Sequence, residues 1–385
     1  MSNLPSTADV LIVGAGPAGL TAACCLLLRG IRPVIIEMAA GPHEMSKACA
    51  IQGATMDAFQ YIGLHQPLSR EGQRLLFRTE FDEIPTDFKG VLLIPQNKVE
   101  AALRQKLAEL GGTIHYNQQL VSIDKRGDIE AHTESGHSIR AKFIIGADGK
   151  NSTVRSMANI HLEVQVKGHT GQLADITLKH PIDSSKGMFW CFSPEGARGC
   201  IPLSNRQVRV VRTGRHIKKG DEKDEGYWRE QLSKISGYNL EMQELGWNSF
   251  FFVSEQLVDR YNSGNILLAG DAAHAHSPMG GQGLNLGVRD AYFLADVLSD
   301  ILQDKQSTSA LDHYSSQRKT RAKKVVGNVS RFSKMVDLPW WMYWLPVLIL
   351  FVMGWVPGLA KRSAVAACGY ELEDMKEVKR RKRRG

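Results

Sequence analysis

Residues 9–30 read DVLIVGAGPAGLTAACCLLLRG, and this stretch decides the fold. An apolar run of strand length, residues 9–13, leads into the glycine-rich turn 14–19, and an apolar segment of helical length follows. A second apolar run, PVIIE, occupies residues 33–37. Strand, turn, helix and strand in this order predict a βαβ unit of a parallel sheet.

The turn carries the pattern GxGxxG, and each of its glycines has a physical role in binding a dinucleotide. The first permits a tight turn, the second lets a pyrophosphate approach the backbone, and the third lets helix and strand pack closely. The helix N-terminus favours the negative charge of the phosphates. An acidic residue at the end of the next strand is placed to bind ribose hydroxyls. The pattern predicts a dinucleotide site, without choosing NAD or FAD, at Gly14, Ala15, Gly16, Pro17, Ala18, Gly19 and Glu37.

The rest of the chain divides into segments of different character. Residues 53–63 and 98–110 have helical patterns, whereas residues 113–145 alternate apolar and polar in short runs, as in an antiparallel meander. Short strands then dominate from about residue 165 to 260. We therefore expect an inserted, mostly β substrate domain of residues 76–93 and 165–261 within a discontinuous dinucleotide-binding domain of residues 1–75, 94–164 and 262–335.

Composition and charge exclude several classes of protein. Of the 385 residues, 43% are hydrophobic and 23% are charged, which lies outside the range of disordered chains. The basic tail, residues 376–385, supplies +6 of the net charge of +8, so the remainder gives no argument for nucleic-acid binding. The six cysteines have no metal-ligand spacing, so we expect no metal site. The first ten residues lack a basic region followed by an apolar core, which favours a cytoplasmic protein.

Two downstream segments identify a family. Residues 143–155, FIIGADGKNSTVR, and residues 265–286, NILLAGDAAHAHSPMGGQGLNL, resemble the second and third motifs of the flavin-dependent aromatic hydroxylases. These are the class A FAD monooxygenases, the family of para-hydroxybenzoate hydroxylase. All three motifs occur here in the family's order. The resemblance implies an α/β protein with a Rossmann-type FAD-binding domain, an inserted β-sheet substrate domain and a C-terminal helical segment.

The resemblance also implies roles for individual residues. Asp271 matches the aspartate that binds the ribityl chain of FAD, and Gly270 precedes it. Asp148 and Gly149 match an Asp-Gly motif associated with both FAD and the nicotinamide cofactor, although capping of a helix equally explains Asp148.

Three further FAD contacts follow from the same comparison. Gln96 resembles the glutamine beside the flavin, and Val121 lies where a backbone contact with adenine is usual. Lys47 stands where the family commonly has Arg, and a lysine cannot make the planar two-pronged contact of a guanidinium.

The glycine-rich segment 280–285 is expected to meet the flavin ring. Its helix is predicted to begin near Leu284 and to direct its positive end at the N1 and O2 edge of the flavin. The glycines bring backbone N–H groups close to the ring, and the cofactor-binding residues expected here are Gly281, Gly283, Leu284 and Asn285. Pro278 matches the family proline that faces the reacting edge of the flavin, and Pro278 and His276 are the candidate catalytic residues. We interpret His274 as a structural residue.

The substrate pocket is less well defined by the sequence. Five residues on expected strands of the inserted domain are candidates to face a flat aromatic substrate, and ordinary sheet packing is the competing interpretation: Trp190, Phe192, Arg209, Arg212 and Phe250.

The C-terminal segment, residues 336–375, contains the uncharged stretch 338–360, LPWWMYWLPVLILFVMGWVPGLA. Its length suits a bilayer crossing, but its three prolines and the basic tail beyond it argue against one. Three interpretations stay open: packing on the flavin domain, a peripheral contact of residues 338–385 with the cytosolic face of a membrane, and a true span.

The resemblance implies a FAD-dependent monooxygenase. NADPH or NADH reduces FAD, O₂ adds to flavin C4a, and the resulting hydroperoxide hydroxylates an aromatic or other electron-rich small molecule. Two alternatives remain: a flavin-dependent reductase or dehydrogenase of the same superfamily, and a redox-silent flavoprotein that binds a hydrophobic ligand.

Overall fold

The glycine-rich stretch folds into the predicted βαβ unit. In the computed structural model, β1 (Thr7–Val13) leads into α1 (Pro17–Leu28), and β2 (Val34–Ile36) then pairs in parallel with β1. Pro17 suits the first helical position, where its fixed φ and missing N–H cost nothing. The structure describes residues 4–42, 48–71, 73–75, 88, 90–125, 129–183, 187–193, 195–214, 217–235, 240–276, 281–334, 340–342, 344–345, 348, 355–356, 358–359, 362, 365–366 and 368–370.

A largely parallel sheet is built around this unit. Its strand order is β15-β16-β9-β1-β2-β6, and the antiparallel strands β7 and β8 extend it from β9. The expected meander over 113–145 is therefore formed by three strands, whereas β6 joins the parallel sheet beside β2. The strands added here are β6 (Ile114–His115), β7 (Leu120–Asp124), β8 (Ile129–Thr133), β9 (Ser138–Gly146), β15 (Asn262–Ser263) and β16 (Ile266–Leu268).

A small three-stranded sheet and several helices lie next to the parallel sheet. The small sheet has the order β3-β5-β4. It pairs strands from either side of the expected domain boundary at residue 75, and that boundary stays a prediction. These elements are β3 (Ala50–Gln52), α2 (Gly53–Tyr61), α3 (His65–Glu71), β4 (Gln73–Leu75), β5 (Val91–Leu93), α4 (Gln96–Glu109) and α5 (Thr153–Met157).

The inserted domain is an antiparallel sheet of six strands in the order β11-β12-β13-β10-β14-β17. One face packs on α6 around the fully buried Trp228, and the other packs on the small sheet through Val91 and Leu93. This confirms the mostly β insertion. Its elements are β10 (Leu162–Leu178), β11 (Phe189–Ser193), β12 (Gly196–Pro202), β13 (Gln207–Gly214), α6 (Glu225–Ser233), β14 (Met242–Val258) and β17 (His274–Ala275).

Two long helices complete the fold, α7 (Gly283–Leu302) and α8 (Ala310–Lys334). Most of α8 is polar, and it is held by a stripe of buried residues at helical spacing: Leu311, Tyr314, Ser315, Arg318, Ala322, Val326 and Val329. Within the described ranges, none of the helices combines the length and the apolar character that a membrane crossing requires.

Candidate active site

The turn between β1 and α1 shows which glycines the fold requires. A Cβ on Gly14, whose φ is +106°, would lie 2.4 Å from the carbonyl oxygen of Ala147. A Cβ on Gly19 would lie 2.0 Å from the carbonyl oxygen of Gly14. Gly16 differs, because a Cβ there would meet no atom within 4 Å. The turn therefore keeps open space at the one glycine that a pyrophosphate is expected to approach.

Glu37 is held against this turn. Its Oε2 accepts a hydrogen bond of 2.8 Å from the Ala15 amide, and its Oε1 accepts one of 3.0 Å from the Ala39 amide. A carboxylate has about four acceptor positions, so two remain for ribose hydroxyls. The residue fits its expected role and also fixes the turn.

Asp148 caps a helix. Its Oδ2 accepts hydrogen bonds from the amides of Thr153 and Val154 at 2.8 and 3.1 Å, at the start of α5. Burial raises the pKa of the Asp148 carboxyl above its ordinary value, although these hydrogen bonds oppose the shift. These contacts are those of the capping interpretation, and the cofactor roles of Asp148 and Gly149 stay predictions.

Gly270 and Asp271 follow β16 and lie over the start of α7. Gly270 has a φ of +65°, and a Cβ there would lie 3.1 Å from the Cβ of Ala18, so the loop packs on α1. The Asp271 side chain is exposed, and its Oδ1 lies 3.9 Å from the position of a Cβ on Gly283. Asp271 therefore lies next to the start of α7, and its contact with the ribityl chain stays a prediction.

The start of α7 lies next to Asp271 and also presents backbone amides. Gln282, the residue before the helix, makes no side-chain hydrogen bond to the first turn, so the amides of Gly283 and Leu284 keep the partial positive charge of a helix N-terminus. Gly281 has a φ of +57° and packs against Ala50. The expected contact of these amides with the N1 and O2 edge of a flavin stays a prediction.

Asn285 has a structural function that the sequence did not indicate. Its side chain is fully buried, and its Oδ1 accepts a 2.8 Å hydrogen bond from the Gln52 amide. Its Nδ2 donates to the carbonyls of Ala50 and Gly281, both at 2.8 Å. Asn285 thus holds β3 against α7, and any contact with the cofactor would come from its backbone.

The remaining predicted residues have different surroundings. The Gln96 Oε1 accepts a 3.1 Å hydrogen bond from the Ala48 amide, so Gln96 fixes the chain before β3. Val121 is 45% exposed. His276 lies beside the first turn of α7, with its Nε2 3.9 Å from a Cβ position on Gly283. Lys47 and Pro278 lie outside the described residues.

A buried ionic network supports the loop that carries Asp271. The His274 Nε2 lies 2.7 Å from the Asp290 Oδ2, the Arg318 Nε donates to the Asp290 Oδ1 at 2.6 Å, and the Gly270 amide donates to Oδ2 at 3.3 Å. The side chains of His274 and Asp290 are fully buried, and that of Arg318 is 5% exposed. This agrees with the structural interpretation of His274. The sequence signal for the missed Asp290 is a lone carboxylate on the apolar face of α7.

The candidate substrate residues divide between the two faces of the six-stranded sheet. Arg212 hydrogen-bonds Tyr227 of α6, and Phe250 pairs with Gln172 on that same face, so both point away from the site. Arg209 lies on the face toward the small sheet. The side chains of Trp190 and Phe192 lie outside the described set. Sequence reasoning missed the aromatics that do face the site, Trp247 and Phe251.

Two glycine-rich turns, an exposed aspartate and an uncapped helix start thus converge beside an aromatic-lined sheet, as binding of an extended flavin dinucleotide requires. The FAD binding domain family matches residues 7–329, and the chain belongs to this family. Within it, the chain is a class A flavin-dependent aromatic hydroxylase, with FAD as cofactor and NAD(P)H as reductant.

Similar proteins include monooxygenases of aromatic compounds. The chain is 29% identical over 346 residues to an uncharacterized aromatic compound monooxygenase of Bacillus subtilis, covering 86% of this chain and 69% of the relative. It is 32% identical over 338 residues to the 6-methylpretetramide 4-monooxygenase of Streptomyces rimosus, covering 82% of this chain and 60% of that relative.

Two solved structures are similar over nearly the whole chain. The anhydrotetracycline hydroxylase from Streptomyces rimosus aligns with a TM-score of 0.80 and 25% identity, covering 95% of this chain and 77% of that one. A Diels-Alderase of pyrroindomycin biosynthesis aligns with the same score and identity, covering 96% and 81%.

Proposed function

We propose that this chain hydroxylates a flat aromatic small molecule, or another electron-rich one, with NADPH or NADH and O₂. When bound, FAD accepts a hydride from the nicotinamide and activates O₂ for insertion into the substrate. The observation that carries the proposal is the convergence of the open turn at Gly16, the exposed Asp271 and the uncapped start of α7.

The residues of the chain supply binding, orientation and electrostatics. The Gly16 turn and the start of α1 would hold the pyrophosphate, and Asp271 would accept ribityl hydroxyls. The amides of Gly283 and Leu284 stabilise negative charge that develops at the flavin edge, because their dipoles are fixed before reaction. An apolar cluster lies between the small sheet and the six-stranded sheet, and it would limit the access of water to a substrate bound beside it.

The names of the relatives support an aromatic substrate. One relative, from Streptomyces rimosus, is named as a 12-dehydrotetracycline 5-monooxygenase and anhydrotetracycline 6-monooxygenase, and another, from Sphingobium chlorophenolicum, as a pentachlorophenol 4-monooxygenase. These substrates are phenolic or polycyclic aromatics. We propose that the substrate of this chain belongs to the same chemical class.

The test is a comparison of three activities in one preparation. We expect the purified protein to bind FAD with a yellow spectrum, and a panel of phenols to stimulate the oxidation of NADPH or NADH with matching O₂ consumption and a hydroxylated product. Turnover that persists without O₂ would instead indicate the reductase alternative. If neither NADPH nor NADH reduces the bound flavin, the result would indicate the redox-silent alternative, in which the protein binds a hydrophobic ligand.

We further propose that residues 338–385 contact an anionic lipid surface peripherally. Three tryptophans of this segment are largely exposed, Trp341 at 58%, Trp344 at 60% and Trp355 at 76%. Tryptophan favours the boundary between lipid and water. The basic tail 376–385 is complementary in charge to anionic headgroups. Together they combine apolar burial with attraction to anionic lipids, the two terms that set the strength of interfacial binding.

Sedimentation with vesicles tests the lipid contact. We expect the protein to pellet with vesicles that contain phosphatidylserine, and the triple replacement of Trp341, Trp344 and Trp355 by Ser to reduce pelleting at least about tenfold. Phe252→Ser is the matched control, because Phe252 is 66% exposed but belongs to β14. Equal pelleting of the triple variant and the control would refute the proposal.

A further inference from the structure

The six-stranded sheet presents an inner wall toward the small sheet, defined here by Leu173, Asp175, Arg209, Val211, Trp247 and Phe251. The Phe251 ring lies against Gly171, where a Cβ would come within 2.3 Å of the ring. The absence of a side chain at Gly171 therefore lets the ring pack directly on the backbone of β10. Leu173 and Val211 are buried against the small sheet, whereas Trp247 and Phe251 are half-buried, and the accessible parts of these two rings suit a planar apolar ligand.

The inner wall is connected to the expected flavin position. Cys49 packs in the same apolar cluster as Leu173 and Val211 of the inner wall. Cys49 precedes β3, which Asn285 ties to the first turn of α7. The wall and the flavin edge of α7 are thus separated by one short strand.

The inner wall has two charged members, and they neutralise each other. Arg209 and Asp175 are directly opposite in register on β13 and β10. The Arg209 Nε donates to the Asp175 Oδ1 at 2.7 Å, and the Arg209 Nη2 donates to Oδ2 at 2.8 Å, a two-pronged pair. Trp247 covers the guanidinium, whose carbon lies 5.4 Å from the ring centroid.

Burial of the pair is unequal. The Arg209 side chain is 1% exposed, whereas the Asp175 side chain is 25% exposed. A ligand at the wall therefore meets the carboxylate rather than the guanidinium. An anionic ligand would meet the accessible carboxylate, whose guanidinium partner is buried behind it, while a neutral hydroxyl finds an acceptor.

We propose that Asp175 is a specificity-determining residue that selects uncharged, hydroxyl-bearing planar aromatics and rejects aromatic carboxylates, an inference that rests on the proposed function for its catalytic consequence. The Asp175 carboxylate accepts a hydrogen bond from the substrate hydroxyl. Because Arg209 is already paired with Asp175, its guanidinium does not bind a substrate carboxylate.

The test uses naphthol and hydroxynaphthoate, which differ by one carboxylate. We expect calorimetry on the FAD-loaded protein to show at least about tenfold tighter binding of naphthol, with the same preference in kcat/KM for NAD(P)H oxidation. Asp175→Asn removes the negative charge, leaves Arg209 uncompensated, and should shift this preference at least about tenfold toward hydroxynaphthoate.

The matched control is Glu195→Gln. Glu195 pairs with the buried Arg198, which lies on the face that packs on α6. The substitution therefore also removes a negative charge beside a buried arginine, but away from the inner wall. We expect its ligand preference to equal that of the wild type. A double variant, Asp175→Leu with Arg209→Met, replaces the pair by apolar groups and should still reject hydroxynaphthoate, which keeps the test valid if Asp175→Asn folds poorly.

Several outcomes would overturn the inference. Wild-type binding of hydroxynaphthoate as tight as that of naphthol would do so, as would a shift in Asp175→Asn no larger than in Glu195→Gln, or tighter hydroxynaphthoate binding by the double variant. Calorimetry separates this failure from that of the proposed function, because ligand preference is measured whether or not NAD(P)H oxidation occurs.

Discussion

Replacing Asp290 by Ala is expected to lower the free energy of unfolding by about 3–5 kcal/mol, the range found when one partner of a buried charged pair is removed. The carboxylate accepts hydrogen bonds from Arg318 and the Gly270 amide and contacts the His274 ring. Without it, the Arg318 charge stays buried with its partner gone. Chemical denaturation of the apoprotein measures the loss, and FAD affinity should fall as well because Gly270 precedes Asp271.

The control for this prediction is Asp296→Ala on the same helix. Asp296 also pairs with an arginine, Arg29 at 2.9 Å, but its side chain is 61% exposed. An exposed pair contributes about 0–1 kcal/mol. Similar losses in the two variants would contradict the importance that we assign to the buried network.

The same network implies a dependence on pH. Burial by itself would raise the pKa of Asp290, but the Arg318 charge and the His274 ring more than offset this, so its pKa lies below the ordinary value. A carboxylate with a lowered pKa in the folded state stabilises the protein above its unfolded-state pKa of about 4, and this contribution is lost as pH falls through the folded-state value. Below about pH 4 the wild type should therefore lose stability more steeply than Asp290→Ala.

The features that the sequence predicted are those that local patterns determine. The βαβ unit depends on adjacent residues, because the glycines, Pro17 and the apolar runs each act within their own turn or element. The parallel pairing of β9 with β1 could not be predicted from local patterns, because the two strands lie more than a hundred residues apart in the sequence.

The candidate substrate residues show why the inner wall could not be predicted. Phe250, Phe251 and Phe252 are consecutive, so a shift of one residue in register decides which ring faces inward. The pairing of β10 with β14 contains several register irregularities, and the sequence gives no sign of them. Asp290 was missed for a related reason, because its partners His274 and Arg318 come from a loop and a helix on either side of α7.

The same substitution at two glycines three residues apart should affect two different properties, the stability of the apoprotein at Gly19 and the affinity for FAD at Gly16. Gly19→Ala places a methyl group 2.0 Å from the carbonyl oxygen of Gly14, and that backbone cannot move freely because the Gly14 amide also donates to the Ile36 carbonyl. Overpacking of this kind costs about 1–3 kcal/mol or more, and it exceeds the gain of about 1 kcal/mol from replacing a helical glycine by alanine. We expect a net fall in the unfolding free energy of the apoprotein.

Gly16→Ala should leave the apoprotein intact and weaken FAD binding. Its new methyl group meets no protein atom within 4 Å, and Gly16 has a φ of −77°, which alanine adopts without strain. We expect the unfolding free energy to change by less than about 1 kcal/mol, as for a substitution without a new contact. The methyl group nevertheless enters the space left for the pyrophosphate, so FAD affinity should fall at least about tenfold, or about 1.4 kcal/mol. Denaturation of both apoproteins and fluorescence titration with FAD measure the two effects separately. Unchanged FAD affinity in Gly16→Ala would mean that the pyrophosphate does not bind at this turn, because the open space would then serve no ligand.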